Sequence, residues 1–165
     1  FMRDALGIAA GLNEYSRQSD IIFMANYAQT VNVIGCIKTN TISSVFDATG
    51  QVLKLYRQVF GTIPVTISGE IRPLDIAATL NKTKDKLTIS VINPTYDEIS
   101  VPVEFLSGKI TGNVELWQVT APDDMAYNEP GQPEKVRIEG PVNVSSSKPL
   151  LIKPVSINIF VFNVK

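Results

Sequence analysis

The spacing of apolar residues changes near residue 61. From Phe1 to about Gly61 the apolar residues recur at helical spacing, whereas from about Pro64 to Lys165 they form short alternating runs separated by turn residues. The boundary falls in the segment Gly61-Thr62-Ile63-Pro64. The pattern therefore predicts two units, residues 1–63 and residues 64–165.

The first unit is predicted to contain two helices with a buried strand between them. Asp20 precedes the run 21–25 (Ile-Ile-Phe-Met-Ala), which is too short for a core helix and is typical of a parallel strand covered on both faces. The second helix is predicted from about Val45 to Phe60, with a stripe of large apolar residues on one side. The first helix has the apolar positions Met2, Ala5, Leu6, Ala9 and Leu12, and the stripe of the second is Phe46, Leu53, Tyr56 and Phe60.

The ends of the second helix carry recognisable signals. Ser43 or Ser44 could cap its N-terminus, Gly61 is expected to cap its C-terminus, and Pro64 forbids continuation. The order helix, buried strand, loop, helix is a piece of an α/β layer or barrel, and it is too short to close one.

The second unit is predicted to be an antiparallel β-sandwich of about six or seven short strands. Residues 87–91, 99–105 and 135–139 alternate apolar with polar positions, so each should have one face in water. Residues 156–164 are apolar on both sides at their centre, which is typical of an inner strand. Turn signals separate the runs at 81–85, 93–94, 107–108, 130–131, 139–141 and 145–147.

Composition excludes several classes of function. The 165 residues carry 15 basic and 16 acidic side chains, so no charged surface indicates nucleic acid or anionic lipid, and no apolar run approaches the roughly 18 residues of a membrane span. The chain has no histidine and one cysteine, Cys36, which excludes Ser-His-Asp and Cys-His nucleophiles, Cys/His zinc sites and intrachain disulfides. We predict no cofactor and no metal. The compartment, cytoplasmic or exported, stays open.

Carboxylate pairs are the first candidates for acid/base or glycosidic chemistry, which needs two such groups about 5–9 Å apart in unlike environments. The adjacent pairs 97–98 (Asp-Glu) and 123–124 (Asp-Asp) lie in turn-rich sequence and are interpreted as solvated. Glu14 and Asp20 lie in the helical half, and Asp20 is interpreted as a turn or strand-entry residue. No pair is predicted to be catalytic.

Polar residues that follow the apolar run are more informative. Asn26, Gln29 and Asn32 would lie at the carboxyl end of a parallel strand, where α/β barrels bind ligands, and carboxamides match sugar hydroxyls well. The alternative is that they satisfy backbone groups of a loop. Trp117 could stack on a sugar, but its place in a strand pattern favours the core, and Cys36 is interpreted as a small buried hydrophobe.

Three segments resemble a known family. The run 24–34 (MANYAQTVNVI), the helix segment 50–57 (GQVLKLYR), and 119–124 (VTAPDD) followed by 128–130 (NEP) are similar to the C-terminal part of α-L-arabinofuranosidases of glycoside hydrolase family 51. The resemblance covers essentially the whole chain in the right order. It implies that residues 1–63 are the last elements of a (β/α)8 catalytic barrel and that residues 64–165 form a jelly-roll-like β-sandwich.

The resemblance also implies an activity. Enzymes of this family release terminal non-reducing α-L-arabinofuranosyl groups from arabinan, arabinoxylan and related oligosaccharides by a retaining mechanism with two glutamates, and they commonly form homo-oligomers. Both glutamates would lie before Phe1, so we interpret the chain as a fragment that is inactive by itself and needs the remainder of the barrel as its partner. Gln29 matches the family glutamine that hydrogen-bonds the arabinose. Asn26 and Asn32 are expected to shape its loop.

A non-catalytic carbohydrate-binding or structural β-sandwich is the alternative. The absence of a convincing carboxylate pair favours it, and the helical half would then be a docking element.

Overall fold

The computed structural model describes residues 1–69 and 72–165. The chain folds as a sandwich-like β structure with two helices. Its elements in chain order are α1 (Met2–Arg17), β1 (Ile37–Thr39), β2 (Ser44–Phe46), α2 (Ala48–Val59), β3 (Ile63–Val65), β4 (Asp75–Leu80), β5 (Lys86–Asn93), β6 (Ile99–Val101), β7 (Ile110–Thr120), β8 (Arg137–Val144), β9 (Leu150–Ile152) and β10 (Ser156–Val164).

One six-stranded antiparallel sheet forms the centre of the fold, in the order β3-β4-β5-β10-β7-β8. The pair β6-β9 forms a small second layer, and β1-β2 is a separate hairpin-like pair. β10 lies between β5 and β7 and is buried from Ser156 to Phe162. The predicted inner strand and the predicted antiparallel sandwich are thus confirmed.

The six-stranded sheet is covered on both faces, so two hydrophobic cores form. On one face α1 and α2 pack against Ile92, Val119, Ile157 and Ile159. On the other face the second layer packs against the sheet, through residues that include Val101, Leu150, Ile152, Phe160 and Phe162.

The prediction that residues 87–91 have one wet face is wrong, because α2 covers that face. The Thr88 hydroxyl donates to the Val59 carbonyl at 3.3 Å, and the Ser90 hydroxyl lies 2.6 Å from the Tyr56 hydroxyl. The polar half of an alternating pattern here marks hydrogen bonds to a helix and not contact with water.

Two strand boundaries also differ from the alternating pattern. β6 ends at Val101, one residue before Pro102, which has no backbone N–H for a sheet ladder. Residues 139–141 were expected to form a turn, but they lie inside β8. Gly140 has φ 114° there, and a bulge shifts the register of the pairing with Leu116–Gln118 on β7. A Cβ on Gly140 would stand 2.5 Å from the Leu116 carbonyl oxygen, so only glycine fits.

The second helix begins later than predicted. Ser44–Phe46 forms β2, and Asp47 is the N-cap of α2, with its carboxylate accepting from the Ala48 N–H at 2.9 Å. The buried stripe contains Val52, Leu55 and Tyr56, whereas the predicted Phe46 is exposed and Leu53 is half-buried.

Gly61 does not act as a helix C-cap. Phe60 is the C-cap in an extended conformation, and the Gly61 N–H donates to Thr79 Oγ1 at 2.9 Å. A Cβ at residue 61 would lie 2.5 Å from the Leu80 carbonyl oxygen. The glycine is needed because the chain passes close to β4, and not because the helix ends in a left-handed turn.

The predicted buried strand at 21–25 does not form in this chain. Ile21, Phe23 and Met24 are 76%, 96% and 66% exposed, and no described strand pairs with them. A strand needs a neighbour that supplies backbone hydrogen bonds, and the described part of the chain places none beside this run.

Candidate functional site

The loop between α1 and β1 carries the three predicted amides. It extends from residue 18 to residue 36 and is fixed near its end by backbone bonds to Ile37. The Ile37 N–H donates to the Thr30 carbonyl at 3.0 Å, and the Asn32 N–H donates to the Ile37 carbonyl at 2.8 Å. Val31 and Ile37 therefore form a parallel bridge, which makes residues 30–32 an extension of the β1-β2 pair.

Gln29 lies directly before this bridge, and its side chain is exposed. Its amide forms no hydrogen bond with the residues that the structure describes, and the peptide bond between Ala28 and Gln29 is cis. Asn26, three residues earlier, is also exposed. Both side chains are thus free to bind a molecule that approaches the loop.

Asn32 shapes the loop, as expected. Its Oδ1 accepts from the Thr39 N–H at 2.8 Å, and its Nδ2 donates to Thr39 Oγ1 at 3.0 Å. The residue has φ 53°, in the left-handed region that asparagine tolerates better than most residues. The Asn32 side chain therefore satisfies a backbone N–H of β1 and fixes the end of the loop against that strand.

Sequence reasoning missed Tyr27, which anchors the loop to α2. Its hydroxyl donates to the Ile34 carbonyl at 3.0 Å and lies 3.0 Å from Thr49 Oγ1 in the first turn of the helix. A phenol can make both contacts because it donates one hydrogen bond and accepts another. The only signal in the sequence is a tyrosine two residues before Gln29, which does not identify its partners.

The carboxylates at 97–98 and 123–124 are the candidates from the sequence, and none of the four is fully buried. Asp97, Glu98 and Asp123 are exposed, as the turn-rich sequence predicted, whereas Asp124 is half-buried and accepts from Arg3 Nη2 at 2.9 Å. A hydrogen bond from Tyr96, followed by the one from Arg3, lowers the pKa of Asp124. These contacts keep the carboxyl ionised, which is the opposite of what a general acid requires.

Glu14 and Asp75 share one cation. Arg17 Nε donates to Glu14 at 2.8 Å and Arg17 Nη2 donates to Asp75 at 2.9 Å. Burial alone would lower the pKa of Arg17, but the hydrogen bonds that Arg17 donates to Asp75 and Glu14 outweigh it and raise the pKa. The hydrogen bond from Arg17 lowers the pKa of Glu14. Among residues 1–69 and 72–165, no three His, Cys, Asp or Glu side chains are grouped to hold a metal ion.

Trp117 and Cys36 are packing residues. Trp117 is half-buried and packs against the core on the helix-covered face, so the predicted core position is confirmed in part. Its buried Nε1 has no partner among the described residues. Cys36 is half-buried and not fully buried as expected, and its Sγ lies 3.5 Å from the Thr30 carbonyl.

Two clefts lie on other parts of the surface. One, of about 530 Å³, lies between Arg17 and the β3-β4 edge, and the other, of about 590 Å³, lies beside Glu129, Glu134 and Arg137. Gln29 lines neither of them. No helix in the described ranges has both the length and the apolar character needed to cross a membrane.

Comparison with known proteins identifies the family. Residues 1–156 match the model of the α-L-arabinofuranosidase C-terminal domain. The chain belongs to this family. No curated protein matches the chain.

Several solved structures with the same fold are described as α-L-arabinofuranosidases. The enzyme of Thermotoga petrophila RKU-1, described as a GH51 enzyme, has 26% identity and a TM-score of 0.80 over 96% of this chain and 37% of its own. The Thermotoga maritima enzyme in an arabinose complex has 22% identity and a TM-score of 0.85 over 98% and 38%. The GH51 enzyme of Xanthomonas axonopodis pv. citri has 23% identity and a TM-score of 0.74 over 98% and 36%. The arabinofuranosidase domain described here therefore spans less than two fifths of the length of these structures.

Proposed function

We propose that this chain is the C-terminal portion of a retaining α-L-arabinofuranosidase. The full enzyme would hydrolyse terminal non-reducing α-L-arabinofuranosyl groups of arabinan, arabinoxylan and related oligosaccharides, with both catalytic glutamates outside this chain. The match of residues 1–156 to the family of arabinofuranosidase C-terminal domains carries the proposal. In the three arabinofuranosidase structures compared above, the matched part is 36–38% of the length.

In this proposal residues 1–63 are the last elements of a (β/α)8 barrel, and residues 64–165 are the sandwich that follows it. The exposed run 21–25 supports this division, because its apolar composition is that of a strand buried on both faces. Coverage by the remainder of the barrel would bury Ile21, Phe23 and Met24, and would supply the missing backbone partners.

Gln29 would then bind the arabinose. It follows the run 21–25 by four residues, so it would lie beyond the carboxyl end of the corresponding strand, where barrels bind ligands. Its amide is exposed and unpartnered among the described residues, and it can both donate to and accept from a sugar hydroxyl. The role is positioning of the sugar and not proton transfer.

The test is Gln29→Ala in the full-length enzyme, with an aryl α-L-arabinofuranoside as substrate. Loss of a hydrogen bond of about 1–3 kcal/mol lowers kcat/KM by about 5- to 150-fold. Gln58→Ala is the matched control, because Gln58 is an exposed glutamine on α2 and its replacement should leave kcat/KM unchanged. Equal kinetics for Gln29→Ala and the parent enzyme would remove Gln29 from the site.

A second experiment tests the placement of the glutamates. The isolated 165-residue chain should show no turnover of the aryl arabinofuranoside, since its described carboxylates form no catalytic pair. Turnover that remains after removal of every longer polypeptide would show that catalytic residues lie inside the chain.

Since no catalytic carboxylate pair is evident among residues 1–69 and 72–165, the second candidate is a non-catalytic sugar-binding or structural sandwich. Titration of the isolated chain with arabino-oligosaccharides, beside hydrolysis assays of the full-length protein, separates the two. Binding by the chain with no hydrolysis by the full-length protein would favour the second candidate.

A further inference from the structure

Asn128 joins the sandwich loop 121–136 to the strand that precedes α2. The side chain is buried, with 2% exposure, and all of its hydrogen-bonding positions are used. Its Nδ2 donates to the Phe46 carbonyl at 2.9 Å and to the Val136 carbonyl at 2.7 Å. Its Oδ1 accepts from the N–H groups of Lys135 and Val136 at 2.9 and 2.8 Å.

Backbone pairings connect Phe46, the partner of Asn128, to the loop that carries Gln29. Phe46 on β2 pairs with Ile37 on β1. Ile37 in turn bonds with Thr30 and Asn32, at 3.0 and 2.8 Å, on either side of the bridge to Val31. Thr30 is the residue next to Gln29, so two strand pairings connect the Asn128 amide to the backbone of the predicted sugar-binding residue.

A second contact joins the same two segments. Asn40 Nδ2, in the turn between β1 and β2, donates to the Pro130 carbonyl at 3.3 Å. The next residue, Gly131, lies so close to this turn that a Cβ added to it would stand 3.5 Å from Ser43 Oγ. Loop 121–136 therefore holds the β1-β2 pair at its turn through Asn40 and at the end of β2 through Asn128. A pair of three-residue strands is too short to be stable without such support.

We propose that Asn128 is a positioning residue for Gln29, by which the sandwich sets the place of a sugar-binding loop on the barrel side. This inference rests on the proposed function, because it requires Gln29 to contact substrate. A displacement of a binding group by about 1 Å can cost a large factor in rate, so loss of the Asn128–Phe46 bond is expected to affect catalysis from a distance.

A residue that only stabilises the fold would not affect catalysis in this way, and Asn93 provides the matched control. Asn93, the last residue of β5, is fully buried and also makes four side-chain hydrogen bonds. Its Nδ2 donates to the carbonyls of Asp97 and Lys153. Its Oδ1 accepts from the N–H and the hydroxyl of Thr95. None of these partners lies in residues 26–47. Replacement of Asn93 or Asn128 by Ala should therefore lower stability similarly, while only the latter should change the kinetics.

The experiment compares Asn128→Ala, Asn128→Asp and Asn93→Ala in the full-length enzyme, with melting temperature and the kinetics of aryl arabinofuranoside hydrolysis measured for each. Asn128→Asp keeps the acceptor for the N–H groups of Lys135 and Val136, but an ionised carboxylate cannot donate to the carbonyls of Phe46 and Val136. Its melting temperature, compared with that of Asn93→Ala, shows whether the variant is folded under the conditions of the assay. We expect kcat/KM to fall about tenfold for both Asn128 variants and to be unchanged for Asn93→Ala.

The double variant Gln29→Ala/Asn128→Ala shows whether Asn128 acts through Gln29. If it does, the added loss caused by Asn128→Ala becomes small once Gln29 is absent. A loss equal to the product of the two single effects would overturn the inference, as would kinetics of the Asn128 variants that match those of Asn93→Ala. If Gln29→Ala alone leaves kcat/KM unchanged, the proposed site fails and the positioning role fails with it.

Discussion

The hydroxyl oxygens of Tyr56 on α2 and Ser90 on β5 lie 2.6 Å apart in the interior. The Tyr56 hydroxyl also donates to Asn13 Oδ1, 2.8 Å away on α1, so one phenol links both helices to the central sheet. Asn13 Nδ2 extends the network by donating to Asp75 at 2.6 Å. Burial raises the pKa of Tyr56, so the phenol stays neutral and available as a hydrogen-bond donor.

Tyr56→Phe should destabilise the protein by about 1–3 kcal/mol, because the variant removes the Tyr56 partner of the Ser90 hydroxyl and of Asn13 Oδ1 in a buried site. Urea unfolding measures this change. Tyr15→Phe is the control, since Tyr15 is 45% exposed and its replacement should shift the free energy of unfolding by less than about 0.5 kcal/mol. Equal effects of the two substitutions would mean that the buried network contributes no net stability.

Glycine substitutions should have opposite signs in two places. A Cβ at Gly61 would meet the Leu80 carbonyl oxygen at 2.5 Å, so Gly61→Ala forces the chain away from β4 and should lower the melting temperature by several degrees. Gly7 and Gly11 in α1 have no atom within 4 Å of an added Cβ. Gly7→Ala should therefore stabilise by about 0.5–1 kcal/mol through helix propensity. Thermal unfolding of Gly61→Ala and Gly7→Ala measures both changes. A higher melting temperature for Gly61→Ala would show that the chain at residue 61 does not need glycine to pass close to β4.

The contact between Arg3 and Asp124 should make stability depend on acid pH. Hydrogen bonds from Tyr96 and Arg3 lower the pKa of Asp124 below its unfolded value. Their stabilising effect is therefore present above the unfolded pKa and is lost as the pH falls through the folded pKa. Asp124→Asn should lower the melting temperature at neutral pH and flatten its decline between about pH 5 and pH 2.

Asp123→Asn removes the same charge one residue away without removing the contact to Arg3, and it is the control for this titration. A decline of the same steepness in Asp124→Asn and in the parent protein would show that the contact has no pH-linked effect.

The exposed run 21–25 should promote self-association of the isolated chain. Ile21, Phe23 and Met24 lie within four residues of one another and are 76%, 96% and 66% exposed, so this segment presents apolar side chains that can bind other surfaces. Phe23→Ser should reduce light scattering by the isolated chain at a given concentration. Leu106→Ser, at a residue that is 92% exposed and outside this run, should leave scattering unchanged. If Phe23→Ser and Leu106→Ser reduced light scattering equally, the self-association would depend on exposed apolar residues in general and not on the run 21–25.

The pattern of the sequence predicted the elements whose partners lie within the chain. The 3.6-residue spacing gave α1, and the continuous apolar run of 156–164 predicted β10 as an inner strand, which is confirmed. The same reasoning failed for 87–91, because an alternating pattern does not distinguish a face in water from a face hydrogen-bonded to a helix. It also placed the start of α2 too early, since Ser44 and Asp47 are both acceptable caps and the β1-β2 pairing decides between them.

For the candidate site, too, the sequence predicted some features and missed others. The sequence identified Asn26, Gln29 and Asn32 as a group, and Asn32 has the loop-shaping role that was expected. Gln29 as a sugar ligand stays a prediction. Tyr27 and Asn128 were missed because their partners, Thr49 and Phe46, are distant in the chain and are hydrogen-bonded through hydroxyl and backbone groups that leave no periodic signal.

By itself the sequence determined which residues are apolar enough for the interior, that α1 is a helix and β10 an inner strand, and that no histidine-based chemistry is available. Only the tertiary structure decided which polar side chains meet in the interior, where a glycine is required by a close approach, and which apolar run has no partner. The reason is physical: hydrophobic periodicity depends on neighbours three or four residues away, whereas hydrogen-bond partners and packing contacts are set by the folding of distant segments against one another.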